Sequence, residues 1–297
     1  MSVPSAYIGV IMIWSTTPLA IFWSSEQVGF LFGVTSRMLI GAILALIVAA
    51  LLGSGLVWKR RAIQAYMAAG LGIYGGMISV YWAAQFIPSG WISVIFGISP
   101  IVTALMARLW LGSEQLTRPR LFGMLIGLLG LSIMFGTSFK LHDQAVLGML
   151  AMVVSVSIHC ASAVWIKRIN AEVPAIVMTS GGLLFAAPLF LITWLLSGAA
   201  LPHEISMRSI GAIAYLALLG SVVGFALYYY VLSKVDATRV ALLTLITPIC
   251  ALGLGNLLNN EPLSLEIIAG SLLILSGLAT FELSGRIDRI RARFLRY

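Results

Sequence analysis

Charge is the scarcest property of this sequence: only 9% of its 297 residues are Asp, Glu, Lys or Arg. Soluble domains carry about 25%, so these side chains are too few to cover a water-exposed surface. Carboxylates are scarcer than bases, 10 against 18, and none falls deep within an apolar run. That excludes an acidic proton relay and a catalytic pair of intramembrane aspartates. The two cysteines, Cys160 and Cys250, stand alone in apolar stretches, without disulfide or metal-ligand spacing. There is no HExxH, no Cys/His cluster and no phosphate-binding glycine loop, so neither a metal, a cofactor nor ATP is expected. Ser155, Ser157 and His159 are close in sequence, but no acid at that depth orients them for nucleophilic catalysis. The chain is not expected to be an enzyme.

What is present is apolar length. Hydrophobic residues make up 60% of the chain, and its mean hydropathy is +1.04. A helix needs about 20 largely apolar residues to cross about 30 Å of hydrocarbon. Runs of that kind predict spans at about 5–23, 30–52, 62–84, 88–111, 119–138, 146–166, 175–197, 209–232, 239–258 and 264–284. They are too long and too uniformly apolar for barrel strands. The expected fold is an all-α membrane protein of ten transmembrane helices, with no soluble domain beside them.

The formal net charge is +8, but the basic residues sit in short gaps between spans. They read as orientation signals and not as a nucleic-acid surface. With the N-terminus inside, Lys140 and Arg208 fall outside, Arg37 falls within a span, and every other Lys and Arg falls inside. Both termini are therefore expected in the cytoplasm. The N-terminus has no basic n-region or clear cleavage site, so the first run is expected to be retained. With no transit-peptide pattern, a bacterial inner membrane is the expected location. In the basic tail, Ile287, Ile290, Phe294 and Tyr297 share a helical face ringed by arginines. This suits either a helix lying on an anionic leaflet or a plain topological stop.

Two stretches repeat. The one from Tyr81 and the one from Tyr228 align Pro100 with Pro248, Glu114 with Glu261, Gly123 with Gly270 and Gly130 with Gly277, at a nearly constant offset of half the chain. The expected units are 1–140 and 141–285, followed by a tail at 286–297. Five spans per unit is an odd number, so the second unit starts from the opposite side and must be inverted. Inverted repeats are a recurring secondary-transporter architecture, with substrate held near the midplane between them.

The residues that carry this pattern are Trp14-Ser15, Arg37 with Gly41-Ala42, and Ser99-Pro100 through Gly112-Ser113-Glu114 to Gly123. Thr247-Pro248 through Asn260-Glu261-Pro262 to Gly270 is their repeat. On them the chain resembles the drug/metabolite transporter superfamily, in its ten-span EamA-type branch. The resemblance implies secondary transport, often export, of amino acids, related metabolites or drugs. Gly-Ser-Glu where the family usually has Gly-Glu, and Asn260 in place of a second glycine, are departures at helix ends.

Arg37 is the most informative side chain. A guanidinium within a span costs about 2.5–3.5 kcal/mol on insertion scales, so it should face the bundle interior. It reads either as a counter-charge for a substrate carboxylate or as a structural arginine satisfied by freed carbonyls. Gly33 and Gly41 flank it and permit close helix approach. His159, near the middle of span six, is the one titratable candidate for proton coupling. The alternative is a neutral side chain bonded to Ser155 or Ser162. Pro18, Pro100, Pro188 and Pro248 free the carbonyls of Trp14, Phe96, Leu184 and Thr244. Of these, Pro18, Pro100 and Pro248 are hinge candidates, with Ser99 and Thr247 adjusting the backbone beside two of them. Tyr74, Tyr81, Phe96 and Tyr228 suit an aromatic-walled pocket, while Trp82, Trp91 and Tyr230 suit interfacial belts. The substrate-binding set is therefore Trp14, Arg37, Tyr74, Tyr81, Phe96, Ser99, His159, Tyr228, Thr244 and Thr247. The partners expected are a small-molecule substrate and the lipid bilayer, with the proton as coupling ion if transport is proton-coupled and no nucleic acid, the protein being a monomer or homodimer. Export of an amphipathic metabolite by alternating access is the leading reading. A uniporter, exchanger or channel without proton coupling is the alternative.

Overall fold

The computed structural model describes residues 2–112, 117–141, 144–199, 201–237, 240 and 247–294. Among them there is no strand. The helices are α1 (Val3–Ser25), α2 (Phe30–Leu51), α3 (Arg60–Ala83), α4 (Ser89–Phe96), α5 (Ser99–Leu111), α6 (Arg118–Leu141), α7 (Ala145–Ile169), α8 (Ala175–Leu196), α9 (Met207–Tyr215), α10 (Gly224–Lys234), α11 (Thr247–Asn259) and α12 (Leu265–Phe294). A π-helical segment, Leu216–Val223, joins α9 to α10, so that Met207–Lys234 is one 28-residue rod. Seven helical stretches are long and apolar enough to cross a bilayer: α1, α2, α3, α4 with α5, α7, α8 and the Met207–Lys234 rod. The three further expected spans coincide with α6, α11 and α12. Of these, α11 is described only from Thr247, and the apolar part of α12, Leu265–Phe281, is short.

Local chemistry sets the helix ends. Ser2 and Ser206 accept from the backbone N–H groups of Ser5 and Ser209, supplying side-chain caps. Gly112 ends α5 in the left-handed region at φ +63°, which a side chain would resist. The single span expected at 88–111 is divided at Gly97–Ile98. Pro100 then stands in the first turn of α5, where a missing N–H costs nothing. Pro100 thus opens a helix, whereas the sequence suggested a bend within a continuous one. Pro248 is the second described residue of α11, and the residues just before Thr247 lie outside the described set. Pro18 and Pro188 do lie inside their helices. The backbone of α12 continues unbroken to Phe294, through most of the basic tail, whose side chains lie outside the described set.

Lipid tails are as apolar as leucine, so the helices are held by close packing and buried hydroxyl–carbonyl bonds. Added Cβ atoms measure how close the backbones come. One on Gly123 would lie 2.5 Å from the Gly277 carbonyl oxygen, and one on Gly130 the same distance from that of Gly270. The α6/α12 pair is thus an antiparallel glycine seam. Ser155 and Ser162 of α7 donate to the Gly76 and Ala68 carbonyls of α3 at 2.8 and 2.9 Å. Ser180 of α8 donates to the Ala45 carbonyl of α2 at 2.9 Å. Helix α3 packs on α7 and α8, while the Met207–Lys234 rod packs on α1 and α2. Exposed Ile8, Ile43, Leu125, Leu195 and Leu272 give the bundle an apolar exterior, as lipid contact requires.

Candidate functional site

A cavity of about 70 Å³ lies at the centre, bounded by Trp14, Thr17, Pro18 and Ile21 of α1, Arg37 of α2, Met77 and Val80 of α3, and Ile92, Ser93 and Phe96 of α4. His159, Gly220, Phe225 and Thr247 complete its wall from the second half of the chain. A smaller space of about 10 Å³ adjoins it, lined by Ser99, Thr103, Cys160, Ala163, Tyr228, Ala237 and Val240. Trp14, Phe96 and His159 border both. The larger chamber holds residues toward the Glu26 end of the bundle and the smaller one residues toward the Lys59 end, with these rings as a partition between them.

The partition is a stacked cluster. The His159 ring lies 5.8 Å from Trp14, 5.8 Å from Phe96 and 5.1 Å from Tyr228, centroid to centroid, and Trp14 lies 5.3 Å from Tyr228. Edge and tilted arrangements at these distances are the favourable ones for aromatic rings. Ser155 and Ser162, weighed above as partners for His159, point instead into α3.

Arg37 closes the larger chamber and is only 2% exposed. Its Nε donates to Ser221 Oγ at 3.0 Å, and its Nη1 to Tyr81 Oη at 3.5 Å, with Met77 Sδ at 4.0 Å. Ser24 Oγ lies 3.2 Å from the same Tyr81 hydroxyl. Among the described residues Arg37 has no carboxylate partner, and its Nη2 has no acceptor. The π segment makes this arrangement possible. It brings Gly220 and Ser221 to the guanidinium, and a Cβ on Gly220 would lie 3.0 Å from Nη2. π-Helical turns are rare and occur often at functional sites. Of the flanking glycines, Gly41 receives Ser221 and Gly33 receives the backbone of Ser24.

Of the residues singled out in the sequence, Trp14, Arg37, Phe96, His159 and Thr247 border the larger chamber, as does Pro18. Ser99 and Tyr228 border the smaller one. Tyr81 stands behind Arg37, fully buried. Tyr74 points elsewhere: its hydroxyl lies 2.6 Å from Thr193 Oγ1 and its ring 5.0 Å from Phe190, in the α3/α8 contact. Thr244 lies outside the described residues. Trp91, read as a belt residue, is completely buried, and its indole N–H has no partner among the described residues. Ser221, Gly220, Met77, Ser93 and Thr17 escaped the sequence reading. The one available signal was Gly220-Ser221, a small-residue pair like those known to meet an intramembrane polar group.

A second constellation closes the Glu26 end. Glu261, 9% exposed, accepts from the backbone N–H groups of Ser89 and Gly90 at 3.0 and 3.1 Å and from Asn259 Nδ2 at 3.1 Å. A carboxylate at a helix N-terminus meets free donors and a favourable dipole. This one reaches from the α11–α12 connection to the start of α4, joining the two halves. Nearby, Trp23 Nε1 donates to Asn259 Oδ1 at 3.4 Å.

Comparison with known proteins gives this arrangement a context. The EamA-like transporter family's sequence profile matches twice, over residues 4–136 and 146–281. The uncharacterized transporter YoaV of Bacillus subtilis is 26% identical, over 94% of this chain and 97% of its own. A probable amino-acid metabolite efflux pump of Salmonella typhimurium is also 26% identical, over 73% and 75%. One crystal structure superposes with a TM-score of 0.72 at 20% identity, covering 96% of this chain and 99% of that one; it shares the fold. Matched in both of its halves, this multi-pass membrane protein belongs to the EamA-like transporter family.

Proposed function

We propose that the protein is a secondary transporter that exports a small amphipathic metabolite, an amino acid or a close relative, by alternating access. In this reading two inverted five-helix units, ten spans in all, rock about a shared central site. The observation that carries it is the divided cavity, whose wall is drawn from both halves and whose chambers lie on either side of the Trp14, Phe96 and His159 rings. The glycine seam supports the inversion. Gly123 and Gly130 correspond to Gly270 and Gly277 in the repeat, yet Gly123 meets Gly277 and Gly130 meets Gly270. Such crossed pairing is what a two-fold relation between copies produces. A cavity of about 70 Å³ has room for a handful of waters, so an amino acid requires the helices to part. The Salmonella relative's name favours amino-acid metabolites as the solute class.

Counterflow in proteoliposomes across an amino-acid and drug panel tests the proposal. Saturable counterflow of at least one solute is expected. Flux that rises without saturation would indicate a channel, and no flux with any solute would overturn the transport reading.

Exchange driven by the solute gradient, without a coupling proton, is favoured over proton antiport by one observation. His159 is enclosed by rings and makes no hydrogen bond among the described residues. Counterflow is therefore expected to be unchanged by an imposed pH gradient, in the wild type and in His159→Gln. A pH-gradient dependence that His159→Gln abolishes would restore His159 as the proton carrier.

A further inference from the structure

We propose that the Arg37 chamber is a site for a monoanion with an apolar body, and that a free ammonium group on the solute is not needed for binding. The inference rests on the transport reading and narrows its solute class.

A guanidinium presents five N–H donors in a fixed planar fork. Here Nε and Nη1 are held by Ser221, Tyr81 and Met77. That fixes the plane of the fork and leaves Nη2 without an acceptor beside the side-chain-free Gly220. An isolated buried cation is costly, and an anion with matching geometry offsets that cost. No carboxylate among the described residues lines either chamber, and residues 241–246, outside that set, carry none in sequence. A compensating charge supplied by the solute completes this arrangement. A carboxylate or sulfonate oxygen fits the free Nη2 edge.

The rest of the wall fixes the other half of the ligand. Trp14, Phe96 and Phe225 present rings, and Val80 and Ile92 present aliphatic surface. The polar side chains remaining are the hydroxyls of Thr17, Ser93 and Thr247, with the Trp14 indole and the His159 imidazole in the ring partition. An ammonium group would find hydroxyls, ring faces and the His159 imidazole but no carboxylate, and would feel the repulsion of Arg37. A second negative charge would find no second cation among the residues of the larger chamber. The zwitterionic form of an amino acid therefore gains from its carboxylate and loses from its ammonium. An acid of the same body that lacks the amine loses nothing.

Calorimetric titration of the full chain in detergent, with probes that share one body, tests this: 2-phenylethanesulfonate, 2-phenylethanol, phenethylamine and L-phenylalanine. The sulfonate is expected to bind about tenfold or more tightly than the amine or the alcohol, and at least as tightly as phenylalanine. Arg37→Gln should bring the sulfonate down to the level of the alcohol and leave the alcohol unchanged. An amine that binds as tightly as the sulfonate would overturn the assignment, as would phenylalanine binding tenfold more tightly than the sulfonate or a folded Arg37→Gln variant with undiminished sulfonate affinity. If Arg37→Gln does not fold, the wild-type order of the four probes decides alone. Amine preference in a protein with saturable counterflow would sink this inference and leave the transport proposal standing; loss of all counterflow would sink both.

Discussion

Arg37 and Glu261 are two buried charges satisfied in opposite ways. Glu261 has backbone and amide donors on both oxygens, so it is a finished structural contact. Charge-assisted bonds of this kind are worth about 1.5–3 kcal/mol each. Glu261→Ala is accordingly expected to destabilise the protein by about 2 kcal/mol or more, read as a lowered melting temperature in detergent. Exposed Glu204→Gln should leave the melt unchanged. Arg37 was legible in the sequence because one charge in a long apolar run is an anomaly. Its partners were not, since Ser221 and Tyr81 are ordinary residues far away in the chain that only the fold assembles. Tyr74 was misplaced for a related reason. A tyrosine seven residues from Tyr81 shares its helix face only roughly, and the drift carries Tyr74 round to Thr193 of α8. Trp91 defeated the belt rule because its helix, α4, is buried on every side.

At the level of the helices, the strongest contact without side chains is the α6/α12 seam. A Cβ on Gly123 would meet the Gly277 carbonyl at 2.5 Å and the Phe281 nitrogen at 2.7 Å, both backbone atoms that cannot turn aside. Gly123→Val and Gly277→Val should each reduce the monodisperse folded fraction severely in size-exclusion chromatography. Gly253→Ala, which meets nothing within 4 Å, should match the wild type or exceed it slightly through helix propensity. Most helix positions were readable from apolar length alone. The division of the fourth expected span at Gly97–Ile98 was not, although Pro100 announced an irregularity, because a proline serves equally as a kink or as the first turn of a new helix. The π segment was also hidden: LALLGSVV scans as any apolar α-helix, and only the fold shows its wider turn carrying Gly220 and Ser221 against Arg37.

For the molecule as a whole, the proposed inverted arrangement predicts that Glu26→Cys and Lys59→Cys label from opposite sides of the membrane with an impermeant maleimide. Labelling of both from one side would dismantle it. The repeat was visible in sequence because glycines at helix contacts resist replacement in both copies. The cavity was only partly visible, since its lining mixes residues from helices far apart in the chain. The solitary Arg37 also has an electrical consequence. In the proposed cycle the unloaded carrier moves one uncompensated positive charge with its helices, whereas the carrier loaded with a monoanion moves none. A full elementary charge crossing 100 mV exchanges about 2.3 kcal/mol with the field. The membrane voltage would therefore act on the solute-free return stroke alone, and capacitive currents from reconstituted protein should fade as solute is added.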